Sequence, residues 1–356
     1  MLRVAVVRGW YLPISETFIY SELVNVKSVS PIVCCKKIIN LEHFPFKSIH
    51  QYKDNDDLIN ILRIQKISLI HARFGVTGAD LLEVKKELGI PMLTSFHGFD
   101  LPTNVKSMRR YGDRLQHLFE HGDAFTVTSE NMKEILIKYG CSPDKIFVHH
   151  SGINVSKFSY KKRTAPENEI TTVLTVGRLV EKKGMEYLIE AVHLVHQHYP
   201  GIRLRIAGDG PLRRTLEKQV EQLQLNGVIK FLGEVSHPTV VEEMKKAHLF
   251  ALASTTDNVG NQEGIPNVLK EAMACGLPVL STKHAGIPEL VGDGKSGFLV
   301  PERDPVALAE RLLHLVQHSE DWERFGTHGR ETVEQFFNID KQIENLERIY
   351  SLLLSK

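Results

Sequence analysis

Twelve short β-rich runs, set apart by stretches of helical period, dominate this chain, and they fall into two series of six. The first comprises Arg3–Val7, Pro31–Cys34, Leu69–Arg73, Met92–His97, Ala124–Thr128 and Ile146–His149; the second, Thr172–Val176, Arg203–Ala207, Ile229–Leu232, Leu249–Ala253, Pro278–Ser281 and Gly297–Val300. Strands alternating with helical crossovers are the pattern of parallel sheets covered by helices. Between the series runs a polar, aperiodic stretch, Lys161-Lys162-Arg163-Thr164-Ala165-Pro166-Glu167-Asn168-Glu169, which reads as an interdomain linker. At 356 residues the chain suits two cores better than one. The pattern predicts an α/β protein with one domain over 1–160 and another over 170–335, without a close sequence repeat between them. Open α/β sheets bind ligands beyond the carboxyl ends of their strands, so two such domains facing one another are expected to form a cleft. From 336 to 356, apolar residues at helical spacing (Ile339, Ile343, Leu346, Ile349, Tyr350, Leu353) predict a terminal helix packing back toward the first domain.

Charge and cysteine usage narrow the function classes. A formal net charge of +1 leaves no nucleic-acid footprint. Residues 1–160 hold 20 Lys/Arg against 16 Asp/Glu, and 161–356 hold 24 against 27, so the first half is mildly basic. Cys34, Cys35, Cys141 and Cys275 show no pairing pattern, and the chain reads as reduced and cytoplasmic. No apolar run approaches the ~18 residues needed to span a bilayer, so membrane contact is expected to be peripheral, at the inner face. Lys106-Ser107-Met108-Arg109-Arg110-Tyr111-Gly112-Asp113-Arg114-Leu115 is basic with interspersed apolar residues; Gly112 interrupts it, and it reads as solvated surface in preference to a membrane patch.

Chemistry concentrates at strand ends. In Glu263-Gly264-Ile265-Pro266-Asn267-Val268-Leu269-Lys270-Glu271, Pro266 suits the first position of a helix, which puts Glu263 in the preceding loop and Glu271 roughly 7 to 8 Å along the axis. Two carboxylates so placed address different parts of one elongated ligand, and main-chain N–H groups of Gly264 and Ile265 at the helix N-terminus suit a diphosphate between them. An ordinary crossover explains the helix but not the Glu before it. After the strand ending at Val176, Gly177-Arg178 and Lys183-Gly184 place a planar fork and a compact cation where both can meet phosphate. Gly208-Asp209-Gly210-Pro211-Leu212 opens a helix after another strand; its glycines admit a ligand to the main chain, although such a turn needs none. In the first half, His97 in Ser95-Phe96-His97-Gly98-Phe99-Asp100 lies at a strand terminus, and Gly9 precedes a helix capped by Ser15. No Cys/His set has zinc spacing and no nucleophilic triad stands out, so metal catalysis is not indicated.

These pieces, together with Pro13-Ile14-Ser15-Glu16-Thr17-Phe18-Ile19, Ser151-Gly152-Ile153-Asn154 and Gly286-Ile287-Pro288-Glu289-Leu290-Val291, resemble in order the family-4 retaining glycosyltransferases of the GT-B fold, over nearly the whole chain. The Ser-Glu-Thr-Phe-Ile opening and the long loop 255–262 look like enzymes of colanic acid and other exopolysaccharide assembly. The resemblance implies two Rossmann-like domains, an acceptor domain and then a donor domain. It assigns Glu271 to the ribose hydroxyls, Arg178 and Lys183 to the diphosphate, and Glu263 with the Gly264, Ile265 and Pro266 main chain to the donor sugar. His97 would approach the reacting carbon and Gly9 the leaving phosphate; the base would lie against the main chain around Leu232-Gly233-Glu234 and near Leu212, with Gly210 also on the donor side. Ser15, Glu16 and Asp100 would stand on the acceptor side.

The implied reaction moves a glycosyl group from a nucleoside diphosphate sugar, a UDP-sugar by family frequency, to a hydroxyl of a glycan or lipid-linked acceptor. Configuration is retained and neither metal nor further cofactor takes part. Two features depart from the family pattern: Lys270 stands where relatives commonly carry an aliphatic or Met residue, and the loop before Glu263 is long. A sugar-nucleotide epimerase or a phosphorylase on the same fold, and a catalytically silent sugar-nucleotide-binding scaffold subunit, are the competing readings.

Overall fold

Two all-parallel sheets account for the alternation in the sequence. The computed structural model describes residues 2–167 and 169–355 and, at Ser15, the main chain only. By its internal contacts the chain divides into Met1–Gly152 with Ile339–Lys356, and Ile153–Asn338.

The first unit carries β1 (Leu2–Tyr11), β2 (Val29–Ile38), β3 (Ile49–Gln51), β4 (Leu69–Arg73), β5 (Met92–Ser95), β6 (Ala124–Val127) and β7 (Ile146–Val148), in the order β3-β2-β1-β4-β5-β6-β7. The second carries β8 (Thr171–Val176), β9 (Ile202–Ala207), β10 (Ile229–Gly233), β11 (Leu249–Leu252), β12 (Val279–Thr282) and β13 (Gly297–Val300), in the order β10-β9-β8-β11-β12-β13. Each order reverses once, at β1/β4 and at β8/β11. There the crossovers depart in opposite directions and leave a crevice beyond the carboxyl ends of the strands.

The central strands are buried on both faces, which is why they read as apolar runs without alternation. Along β1 successive residues feed opposite layers: Ala5 and Val7 join the core containing Phe96, Leu118 and Phe125, while Val4 joins Leu69, Leu93 and Ala124. Against that second layer lies the terminal helix Ile339–Leu354, through Leu346, Ile349, Tyr350 and Leu353. The Tyr350 hydroxyl sits 2.7 Å from Nδ1 of buried His71, whose Nε2 is 2.6 Å from Ser95 Oγ.

Four local expectations are corrected. Strand β3 escaped the sequence reading because it is three residues long and incompletely buried, too short for any period. Ser15 does not cap the helix Thr17–Asn25: a single 3₁₀ turn, Ile14–Glu16, follows Pro13 and makes Glu16 the cap position, with no side-chain capping bond; the Ser15 side chain itself lies outside the described residues. The stretch from 336 holds the end of one helix, Trp322–Phe336, and the whole of a second, Ile339–Leu354. Finally, the polar 161–169 stretch, of which Asn168 lies outside the described residues, is held to the second unit. Buried Arg163 donates to the carbonyls of Lys245, Ala247 and Cys275 at 2.7 to 3.0 Å.

Candidate functional site

Several charged residues of the second unit follow β8 and β11, the strands at which its order reverses. β8 ends at Val176, and Gly177 follows; a Cβ there would come 3.3 Å from Lys183 Cε, so the missing side chain leaves room for the lysine stem to lie along the main chain. Lys183 closes a 3₁₀ turn, Glu181–Lys183, and Gly184 leads into the helix Met185–His196 with φ +59. A Cβ on Gly184 would land 1.9 Å from the carbonyl oxygen of Ala253, just past β11, so only glycine lets the turn sit against that strand end. Gly210 is small for a similar reason, a Cβ there meeting Leu179 O at 2.6 Å. The main-chain N–H of Leu212 donates to the same carbonyl, and the helix begins at Arg213, two residues later than its proline suggests.

This packing brings Lys182 Nζ and Lys183 Nζ to 3.1 and 3.2 Å from one oxygen of Glu263. Burial opposes ionisation of that carboxyl, but the two ammonium groups outweigh it and hold its pKa at about 2. The Glu263 carboxylate is therefore ionised at any physiological pH; its contribution to stability is present above about pH 4.3 and is lost only as pH falls toward 2. Beyond Glu263, the N–H groups of Gly264 and Ile265 donate to no acceptor among the described residues. Pro266 is the cap position of the helix Asn267–Ala274, in which Glu271 is the fifth residue. Glu271 is buried; one carboxylate oxygen is 3.2 Å from His237 Nε2 and the other meets no described donor. Arg178 is exposed two residues after β8, and its side chain makes no hydrogen bond or ion pair with any described residue. Leu232, near the end of β10, is half-buried. Glu263, Lys183 and the loop to Pro266 are thus contiguous, while Arg178 stands unengaged beside them in the chain.

The first unit carries a pocket of about 490 Å³ whose lining includes Arg8, Gly9, Trp10, Glu16, Phe99 and Asp100. Arg8 is buried, ion-paired with Glu16 and 5.4 Å from the centre of the Phe74 ring. A Cβ on Gly9 would meet nothing within 4 Å, so that wall is open. Asp100 is fully buried, and its two oxygens accept the main-chain N–H groups of His97 and Gly75, both at 2.8 Å. Burial pushes its pKa up to about 6, against those same bonds. Its carboxylate therefore shapes the His97 turn before it can serve an acceptor. The His97 ring lies 4.9 Å from Phe18 and 5.0 Å from Phe74, with neither nitrogen hydrogen-bonded among the described residues. Burial first, and then the Arg73 cation, keep it neutral by lowering its pKa well below the usual value.

Sequence reasoning missed Arg8, Lys182, His237, His284 and Glu302. Arg8 and Lys182 adjoin residues already singled out; His237, His284 and Glu302 come from other strand ends, and no spacing joins them to Glu263 or Glu271. It also passed over His117, Glu120 and His121, exposed on the helix Arg114–His121, whose ligand atoms lie within 4.8 Å of one another. Among the described residues no helix is long and apolar enough to cross a membrane.

Comparison with known proteins agrees with this geometry. Residues 156–332 match the family described as glycosyl transferases group 1, and residues 36–157 that of glycosyltransferase family 4. A colanic acid biosynthesis glycosyltransferase of Salmonella typhimurium is 39% identical over 282 residues, 77% of this chain and 69% of that protein. An amylovoran biosynthesis glycosyltransferase of Erwinia amylovora is 35% identical over 272 residues, 76% of this chain and 66% of its own. The crystal structure of Anabaena HepE in complex with UDP superposes with a TM-score of 0.84 at 18% identity, over 99% of this chain and all of that one, a likeness of fold.

Proposed function

Because this chain belongs to the family-4 glycosyltransferases of the GT-B fold, we propose that its second unit binds a nucleoside diphosphate sugar and that the enzyme passes the glycosyl group, with retention, to a hydroxyl of a glycan or lipid-linked acceptor in exopolysaccharide assembly. The observation that carries this reading is the run from Lys182 and Lys183, ion-paired to Glu263, through the unengaged N–H groups of Gly264 and Ile265 to the half-paired carboxylate of Glu271. It offers acceptors for sugar and ribose hydroxyls at its two ends and donors for a diphosphate between them. A uridine nucleotide is the favoured donor, in keeping with the UDP in the Anabaena structure.

Among the described residues no carboxylate is placed as a nucleophile, so the reaction is assigned to the front face. The acceptor oxygen bonds to the anomeric carbon on the side from which the carbon–phosphate-oxygen bond breaks, and its proton passes to an oxygen of the departing diphosphate. Arg178 and Lys183 meet the negative charge that grows there, the basis for a metal-independent assignment. The aromatic and charged pocket of the first unit, with Trp10, Phe99 and Glu16, is assigned to the acceptor. With a lipid-linked acceptor the enzyme would work peripherally at the cytoplasmic face of a membrane.

The test is a thermal-shift series with UDP, GDP, ADP and their common sugars, because a ligand that binds only the native state raises its apparent stability. One diphosphate family should shift the protein and then support transfer to lipid-linked acceptors. No shift with any of them, in folded protein, would overturn the donor-site reading.

A further inference from the structure

The loop that delivers Glu263 is tied at both ends to one carboxylate, that of Glu302. One oxygen of Glu302 accepts the Thr255 hydroxyl and the Thr256 N–H, both at 2.9 Å, at the start of the loop. Its other oxygen lies 2.7 Å from Nδ1 of His284, whose Nε2 accepts the main-chain N–H of Glu263, at 3.1 Å, at the loop's end. His284 is completely buried, two residues after β12, and Glu302 is two residues after β13. Arg303 Nε adds a bond to Thr255 Oγ1 at 3.0 Å, and Thr255 N–H donates to the carbonyl of Lys182. Loop start, loop end and lysine turn are therefore fixed to one another.

The donors dictate the imidazole tautomer. A main-chain N–H can only donate, so Nε2 must be bare and the proton must sit on Nδ1, facing the carboxylate. From this we infer that His284 and Glu302 are positioning residues of the transfer reaction: they hold the Glu263 main chain, and through it the carboxylate that meets Lys182, Lys183 and the donor sugar. The inference rests on the donor site proposed above, but the staple can be tested without a donor.

Glu302→Gln is nearly isosteric and breaks the staple by chemistry alone. If the amide oxygen faces Thr255 and Thr256, its NH2 faces Nδ1 and drives the imidazole proton to Nε2, against the Glu263 N–H. If the amide is reversed, its NH2 faces the Thr256 N–H. Either way a donor meets a donor, as in a triad whose orienting carboxylate is replaced by an amide.

The experiment reads the imidazole ¹⁵N signals of His284, hydrogen exchange at 255–264, and binding and turnover with UDP and UDP-glucose. Wild type should show the Nδ1–H tautomer. E302Q should lose it or lose protection of the Glu263 amide, bind UDP within about twofold of wild type, and use UDP-glucose at least tenfold less well. His284→Gln, whose side-chain oxygen can still accept from Glu263, should retain at least tenfold more turnover than His284→Leu. An Nε2–H tautomer in wild type, or E302Q with unchanged exchange and unchanged use of UDP-glucose, would overturn the inference. A staple that responds to E302Q in a protein that binds neither UDP nor GDP, ADP or their glucose conjugates upholds the anchor and removes the donor role.

Discussion

Nε2 of His237 stands 3.2 Å from one carboxylate oxygen of Glu271, in a helix where the partner oxygen of that carboxylate meets no described donor. The hydrogen bond to Glu271 raises the His237 pKa, burial opposes it, and the Glu271 charge adds to the rise. A raised folded-state value makes the contribution to stability complete below about pH 6.5 and loses it as pH climbs through the folded value. His237→Ala should therefore lower the unfolding midpoint more near about pH 5.5 than near about pH 8.5, because the charge-assisted part of the bond fades as pH climbs. Equal loss at both values would assign the residue to packing.

The unpaired oxygen of Glu271 gives a second expectation. If it accepts the ribose hydroxyls, Glu271→Ala removes a charge-assisted pair of bonds, and calorimetry should show nucleoside diphosphate affinity falling roughly 10- to 100-fold. Glu271→Gln should recover part of that. Unchanged UDP affinity in both variants would place the ribose elsewhere.

Arg178 and Lys183 should matter in turnover more than in binding, because the charge they meet grows as the bond breaks. Truncating either to Ala is expected to cost on the order of 10² in kcat. The Arg178 side chain makes no described hydrogen bond or ion pair, so its loss should leave stability within about 0.5 kcal/mol. Near wild-type transfer by Arg178→Ala would sink the assignment.

Much of the fold was legible because buried parallel strands and amphipathic crossovers leave strong local signals. All twelve strands read from the sequence are present, to within a few residues at their ends, and only three-residue β3 was too short to register. Of the site, the local part was legible: Glu263, Pro266 and Glu271 share one loop and helix, and Arg178 and Lys183 follow one strand. What stayed hidden is what tertiary packing assembles. His284 and Glu302 leave neighbouring strands β12 and β13, and their bonds to the Glu263 loop depend on sheet order, which no local period reports. Asp100 was legible as a strand-end carboxylate, yet its two bonds to main-chain N–H groups give it a structural task that residue type alone does not disclose.

Gly184 links stability to chemistry. Its φ of +59, and the 1.9 Å that would separate an added Cβ from Ala253 O, leave no room for Gly184→Ala without moving the lysine turn off the end of β11. The substitution should cost roughly 2 to 4 kcal/mol and also lower turnover, by carrying Lys183 away from Glu263. Loss of stability with full turnover at a permissive temperature would show that the turn relaxes without disturbing the ion pair.

Lys270, beside Glu271 in the same helix, is fully buried, with Nζ 3.0 Å from Asn267 Oδ1 and 5.5 Å from the centre of the Phe337 ring. Burial lowers its pKa to about 7, against the pull of the Glu271 charge. Between that value and about 10.4 the unfolded chain binds the proton that the folded chain releases, so wild-type stability rises with pH across this window. Lys270→Met keeps the stem, removes the titration and should lack the slope. The stability difference between variant and wild type is thus expected to move in the variant's favour as pH falls from about 10 to about 7, by roughly 1 to 3 kcal/mol, or several degrees in the unfolding midpoint of a domain this size. A difference independent of pH would mean that the amine keeps its proton in the folded protein and that its partners, with Glu271 near, offset the cost of burying it.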